Sequence, residues 1–410
     1  MNKSLSCLIL ILQIIFSIKT NSQIVDLNTY SYLRLFENQI ICDESNVKFK
    51  KFAQNVSEDS LKTKTVNILH IGDSHIQADM FPAKLRFLFS KSFQHIAGRG
   101  LVFPYTLAKT NNPKDYEVTY TGNWESCRSL DKDKKNNLGI SGISATTFCE
   151  NSSITMCYKN FDSICSNLKT IKILHEFSDK DYVPKVNNRL ADDFIKIGDN
   201  LAYSSFNINN TDPFTITFFK SNNLQTKFTI NNFYIETENT GLVYNSVGLN
   251  GADVNSFLNC NLLKNQLEFL NPSLIIISLG TNDAYPEKFD PIAFKQSYTM
   301  LINNILAICP DCAIILTTPG DSYRNKNYLN INYEKTRDII IKLAEKYNLG
   351  VWDFYTIMGG LNSIYLWHKS NLCFDDFLHF NKEGYELQAV LFHKALLDLI
   401  SKNQTKRYDK

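Results

Sequence analysis

The chain predicts an α/β fold, a parallel sheet with helices on both faces, interrupted by a β-sandwich insert. Three observations carry this. Apolar runs of strand length alternate with helix-like segments over residues 66–110 and again over 242–400. Between Asp115 and Gly241 that rhythm gives way to short alternating runs separated by Asn, Ser and Asp. Polar loops follow several of the strands in the two outer stretches, where open parallel sheets gather their reactive groups.

The opening residues read as an export leader. Lys3 gives a positive start, Leu5 to Ile18 an apolar run, and Thr20 and Ser22 small residues before a cut ahead of Gln23. The run is short for a bilayer span, and no later segment is longer, so an exported, periplasmic or extracellular protein without stable membrane insertion is expected. Residues 23–65 form an N-terminal segment. Val66 to Ile71, stopping at Gly72, has the form of a buried strand ending in a turn. Pro82, Leu85, Leu88 and Phe89 then mark a helix.

Residues 115–241 form the insert. Its runs at 154–158, 171–174, 214–219 and 227–230 alternate with turn residues, the pattern of an antiparallel sandwich. The α/β rhythm resumes with a strand at Leu242 to Val247 and a helix at Val254 to Leu270. Further strands are expected at 273–279, 313–317 and 351–354. Helices are expected around Phe294 to Ile305 and Ile340 to Tyr347, with a last one from Lys382 to Ile400. The outer stretches, 66–114 and 242–401, thus make one discontinuous domain, and residues 402–410 a polar tail.

Composition narrows the partners. Lys and Arg total 43 against 41 Asp and Glu, a formal net charge of +2, which gives no sign of a basic nucleic-acid surface or a polybasic membrane patch. A neutral or mixed-charge substrate and a monomer are expected. Ten cysteines become nine once Cys7 leaves with the leader, an odd number in a compartment that permits disulfides. Cys309-Pro-Asp-Cys312 lacks the second pair a zinc ribbon needs, so it reads as a local disulfide or two plain thiols, and no metal is expected.

Four loops carry chemistry: Gly72-Asp73-Ser74-His75, Gly248-Leu-Asn-Gly251, Gly280-Thr-Asn282-Asp283 and Asp376-Phe-Leu-His379. Ser74 stands on a strand-to-helix turn, and a serine hydroxyl needs an imidazole to take its proton. His379 is the candidate, because it alone of the seven histidines has an Asp three residues before it, Asp376, to hold its tautomer. Asp375 competes for that role, and Gly248 competes with Gly251. The developing oxyanion needs fixed donors, for which Ser74 N–H, Gly251 N–H and the Asn282 amide are the set. Asp73 suits a backbone-accepting role in the turn, and His75 a packing or capping role. Trp124 and the insert tyrosines are either core or a platform for sugar rings.

These blocks, in this order, resemble the SGNH (GDSL-like) hydrolase superfamily, named for its Ser, Gly, Asn and His. They match at Ser74, Gly251, Asn282 and His379, with Asp376 beside the last. The resemblance implies a three-layer α/β/α flavodoxin-like domain and a serine esterase that needs no cofactor. Gly72-Asp-Ser-His75, Asn250-Gly-Ala252 and the intervening β-rich segment further resemble the peptidoglycan O-acetylesterases, whose insert is similar to a carbohydrate-binding module. That implies an O-acylated carbohydrate as substrate. Two rivals stand beside this reading: a polysaccharide O-acetyltransferase using the same triad, and a carbohydrate-binding protein with an inert hydrolase domain.

Overall fold

The structure is a computed structural model that describes residues 26–133, 136–159, 167–209 and 213–405. The export leader, Cys7, Cys165 and the last five residues of the polar tail lie outside these.

Five parallel strands form the central sheet: β1 Thr65–Gly72, β2 Gly241–Gly248, β3 Leu274–Ser278, β4 Ala313–Thr317 and β5 Gly350–Trp352. Their spatial order is β2-β1-β3-β4-β5, with Ile40–Ile41 added antiparallel at the β5 edge. This is the doubly wound order in which the chain reverses direction between β1 and β3, opening a crevice at their carboxyl ends. The strands are apolar in most positions because both faces are covered. Ile275, Ile277, Ile314 and Leu316 face one core; Leu274, Ile276, Ala313 and Ile315 face the other. Fully burying each Ile or Leu among these contributes about 1.5–3 kcal/mol.

The helices divide accordingly. α1 Val47–Asn55, α3 Met80–Ser92 and α8 Lys382–Thr405 bury Phe49, Phe52, Leu85, Phe89 and Leu396 in one core. α2 Ser74–Gln77 is a single turn between β1 and α3. α4 Val254–Leu258, α5 Leu263–Leu270, α6 Pro291–Ile308 and α7 Asn332–Tyr347 feed Phe257, Leu267, Leu301 and Leu343 into the other. The single helix expected from Val254 to Leu270 is broken in two. The break is made by the insert: Leu262 N–H donates to the Leu138 carbonyl and Asn261 Oδ1 accepts from Leu138 N–H. The last strand ends at Trp352, two residues early, because Asp353 turns to cap the helix Phe354–Ile357.

A polar rung crosses four strands. His70 on β1 meets Tyr244 Oη on β2 and Ser278 Oγ on β3, each at 2.6 Å, and Thr317 on β4 donates to Ser278 at 2.8 Å. Burial pushes His70 down to about 3, so this rung is neutral and fixes strand register without adding charge.

The insert builds a four-stranded sheet and six strands of a seven-stranded one, all antiparallel, over a core shared by Ile154, Phe214 and Ile216 with Ile173, Phe228 and Phe233. Strands Ser153–Tyr158 and Phe214–Phe219 alternate buried and half-buried positions, as the sequence pattern requires. The short strand Gly100–Val102 pairs with Phe228–Thr237 of the larger sheet, joining the two parts. Trp124 is buried edge-on against Phe218 and donates its indole N–H to Thr121, so it is core and not a sugar platform.

Candidate active site

The loops after β1, β2 and β3 and the turn before α8 supply the site, and the first and last of them meet directly. β1 ends at Gly72, and Asp73 caps α2: its Oδ1 accepts from His75 N–H at 2.9 Å, and its carbonyl accepts from Ile76 and Gln77. The cap fixes Ser74 as the first residue of that turn. Ser74 Oγ lies 2.9 Å from His379 Nε2, and His379 Nδ1 lies 2.8 Å from Asp376 Oδ2. The three side chains make one hydrogen-bonded line. His379 and Asp376 are 35% and 36% exposed, so the line opens to solvent and to a bulky ligand.

The three-residue spacing works because Asp376 folds back on its own turn. Its Oδ1 accepts the backbone N–H of Leu378 and of His379, both at 2.9 Å, leaving Oδ2 for the ring. Burial raises the carboxyl, but the His379 ring and these two N–H groups outweigh it and hold Asp376 at about 2. It stays an anion at any working pH. Its competitor Asp375 points elsewhere, to His368 Nε2 at 2.9 Å, and is 95% exposed.

His75 supports His379 from beside it. Their ring centroids are 5.2 Å apart, and Tyr385 Oη meets His75 Nδ1 at 2.9 Å. Burial holds His75 down at about 4, so it is neutral and adds no positive charge next to the imidazole that would take a proton. Its ring packs against those of His379, Phe380 and Tyr385.

The block-two loop is locked to the Ser74 turn by a residue the sequence reading passed over. Buried Gln77 accepts from Asn250 N–H at 2.7 Å through Oε1 and donates to Thr110 at 3.0 Å through Nε2. Gly248 lies where a Cβ would stand 2.2 Å from Gln77 N, so glycine is needed there for close approach. Gly251 has φ +81°, the left-handed conformation that turns the loop back toward α4. Block three pins the same loop: Asn282 donates to the Ala252 carbonyl at 2.8 Å, and Asp283 accepts from Val254 N–H at 3.2 Å. Burial raises Asp283 to about 7. Among the described residues the Ala252 carbonyl is the one acceptor of Asn282 Nδ2, which carries two hydrogens. Among the described residues no protein acceptor takes the N–H of Ser74 or Gly251. Under the turn, Asp73, Thr318 and Asp321 line a cavity of about 40 Å³, room for roughly one water.

Cys309 and Cys312 are two thiols, both pushed up by burial, Cys309 to about 11. Among the described residues no helix is long and apolar enough to cross a membrane.

Residues 232–387 match the GDSL-like Lipase/Acylhydrolase family. A solved peptidoglycan O-acetylesterase superposes with a TM-score of 0.73 at 21% identity, over 88% of this chain and 99% of that one. A lipase/acylhydrolase from Enterococcus faecalis covers 40% of this chain and 77% of its own at 20% identity, with a TM-score of 0.32. No match is found among curated proteins. The fold is thus that of the GDSL/SGNH esterases, with additional antiparallel sheets.

Proposed function

Because the chain carries a domain of the GDSL-like lipase/acylhydrolase family, we propose that it is an exported serine esterase that removes O-acetyl groups from a carbohydrate, peptidoglycan before others. The reading rests on one observation, the 2.9 Å contact of Ser74 Oγ with His379 Nε2, continued at 2.8 Å to Asp376.

Ser74 attacks the ester carbonyl while His379 takes its proton, and Asp376 holds the ring in the tautomer that leaves Nε2 free to accept. The oxyanion of the tetrahedral intermediate is met by Ser74 N–H, Gly251 N–H and the Asn282 amide. His379 then returns the proton to the departing sugar hydroxyl. Water, deprotonated by the same imidazole, attacks the acetyl-serine and releases acetate. The side chains used are all present in the chain.

The choice of peptidoglycan is supported by the likeness to a peptidoglycan O-acetylesterase, which spans the insert as well as the α/β domain. Acetate release from O-acetylated peptidoglycan and from acetylated xylan is the test. Faster release from peptidoglycan, abolished by Ser74→Ala, is expected. Preference for xylan would remove the substrate assignment, and turnover by Ser74→Ala would remove the mechanism.

A further inference from the structure

A groove of about 500 Å³ runs along the flank of the Ser74 turn, lined by Ala78, Met80, Lys84, Phe87, Lys114 and Lys382 among others. Two links tie it to the triad. Ala78 N–H donates to the Ser74 carbonyl at 2.9 Å, so the groove begins one helical turn from the nucleophile. Lys382 follows His379 by three residues, within about 11 Å along the chain. On α8, Tyr385 reaches under His75 while its neighbour Glu386 faces the groove.

The floor of this groove is charged but balanced. Asp79 pairs with Arg86 at 2.5 Å, and Arg99 with Asp115 at 2.6 Å, with cross-contacts of 3.6 Å and 3.8 Å closing a four-membered cluster. Arg86, Arg99 and Asp79 are nearly inaccessible, and Asp115, 27% exposed, is paired with Arg99, so the two cations and two anions cancel. The rim does not cancel. Lys84 and Lys382 share one carboxylate, Glu386, at 3.2 Å and 3.7 Å. Lys114 is exposed, and among the described residues it makes no ion pair. Three ammonium groups thus face Glu386 and the Arg99-paired Asp115 beside an apolar strip of Ala78, Met80, Ala83 and Phe87.

We propose that this groove is a substrate subsite that takes a carboxylate carried by the glycan, on the sugar or on its peptide substituent, as the acetyl group enters the triad. The proposal rests on the esterase reading and deepens it: the enzyme distinguishes carboxylate-bearing O-acetyl glycans from neutral ones such as acetylated xylan. Solvent-exposed charge recognition of this kind acts through modest, salt-screened attraction.

The test compares an O-acetylated muramyl peptide carrying free carboxylates with the same compound amidated. At low ionic strength wild type is expected to show a kcat/KM about 5-fold higher for the carboxylate form, carried mostly by KM and collapsing at 1 M salt. Lys114→Glu, and separately Lys114→Ala, are expected to reduce that ratio toward unity, with the thermal midpoint confirming the fold. Because the ratio is taken within each variant, any general loss of activity divides out. Equal kcat/KM for the two forms in wild type, or an undiminished ratio in Lys114→Glu, overturns the subsite. Failure to hydrolyse either form while an aryl acetate is turned over does so too. Hydrolysis persisting in Ser74→Ala overturns the esterase reading instead.

Discussion

Replacing Gly248 by alanine is the sharpest mechanical test of how the site is assembled. The added Cβ would stand 2.2 Å from Gln77 N, 2.7 Å from the Asp73 carbonyl oxygen and 2.8 Å from Gln77 Cα. All three are backbone atoms of the Ser74 turn, so no side chain can swing away. Ordinary contact begins at 3.4 Å, which requires β2 and α2 to part by about 1.2 Å. That movement stretches the 2.7 Å bond from Asn250 N–H to Gln77 and carries Gly251 away from Ser74. Overpacking of this kind destabilises by about 1–3 kcal/mol, and misplacing a reacting group by about 1 Å lowers rate roughly 100-fold. Aryl acetate hydrolysis with a parallel denaturant titration would measure both. Wild-type kcat with an unchanged unfolding midpoint would refute the claim that this contact holds the two loops in register.

Other perturbations act on single groups. Asp376→Asn keeps the size of the side chain but turns an acceptor facing His379 Nδ1 into a donor; kcat is expected to fall by about 10⁴-fold at little change in KM. Asn282→Ala removes an oxyanion donor and also the bond to the Ala252 carbonyl, so kcat should drop about 10²–10³-fold, read from steady-state kinetics. Asp321 is buried and raised to about 7 by that burial, well above its unfolded value. The unfolded chain therefore loses this proton near pH 4 and the folded one only near 7, and the group's contribution to stability falls as pH rises between them. Asp321→Asn should accordingly raise the thermal midpoint relative to wild type more at pH 8 than at pH 4.

Local pattern made much of this legible. The apolar runs of β1 to β4 are bounded by turn residues, and two-sided burial keeps their polar positions few enough for the runs to stand out. The Asp376–His379 pair was legible because one turn contains both residues and the two backbone N–H groups that orient the carboxylate. The break between α4 and α5 was not, since it is imposed by Leu138 from the insert. Gln77 was passed over for the same reason: its partner Asn250 lies 173 residues away, and nothing in the local sequence marks it. α1 did leave a signal. Phe49, Phe52, Ala53 and Val56 recur at helical spacing, and all are buried.

The central claim is that the Ser74 hydroxyl is activated by His379. Reaction with a fluorophosphonate, with the modified residue located by mass spectrometry, tests it most directly. One phosphonyl group on Ser74 is expected in wild type, with labelling absent from Ser74→Ala and slowed by several orders of magnitude in His379→Ala. An unlabelled wild-type Ser74, or equal labelling rates with and without the imidazole, would contradict it.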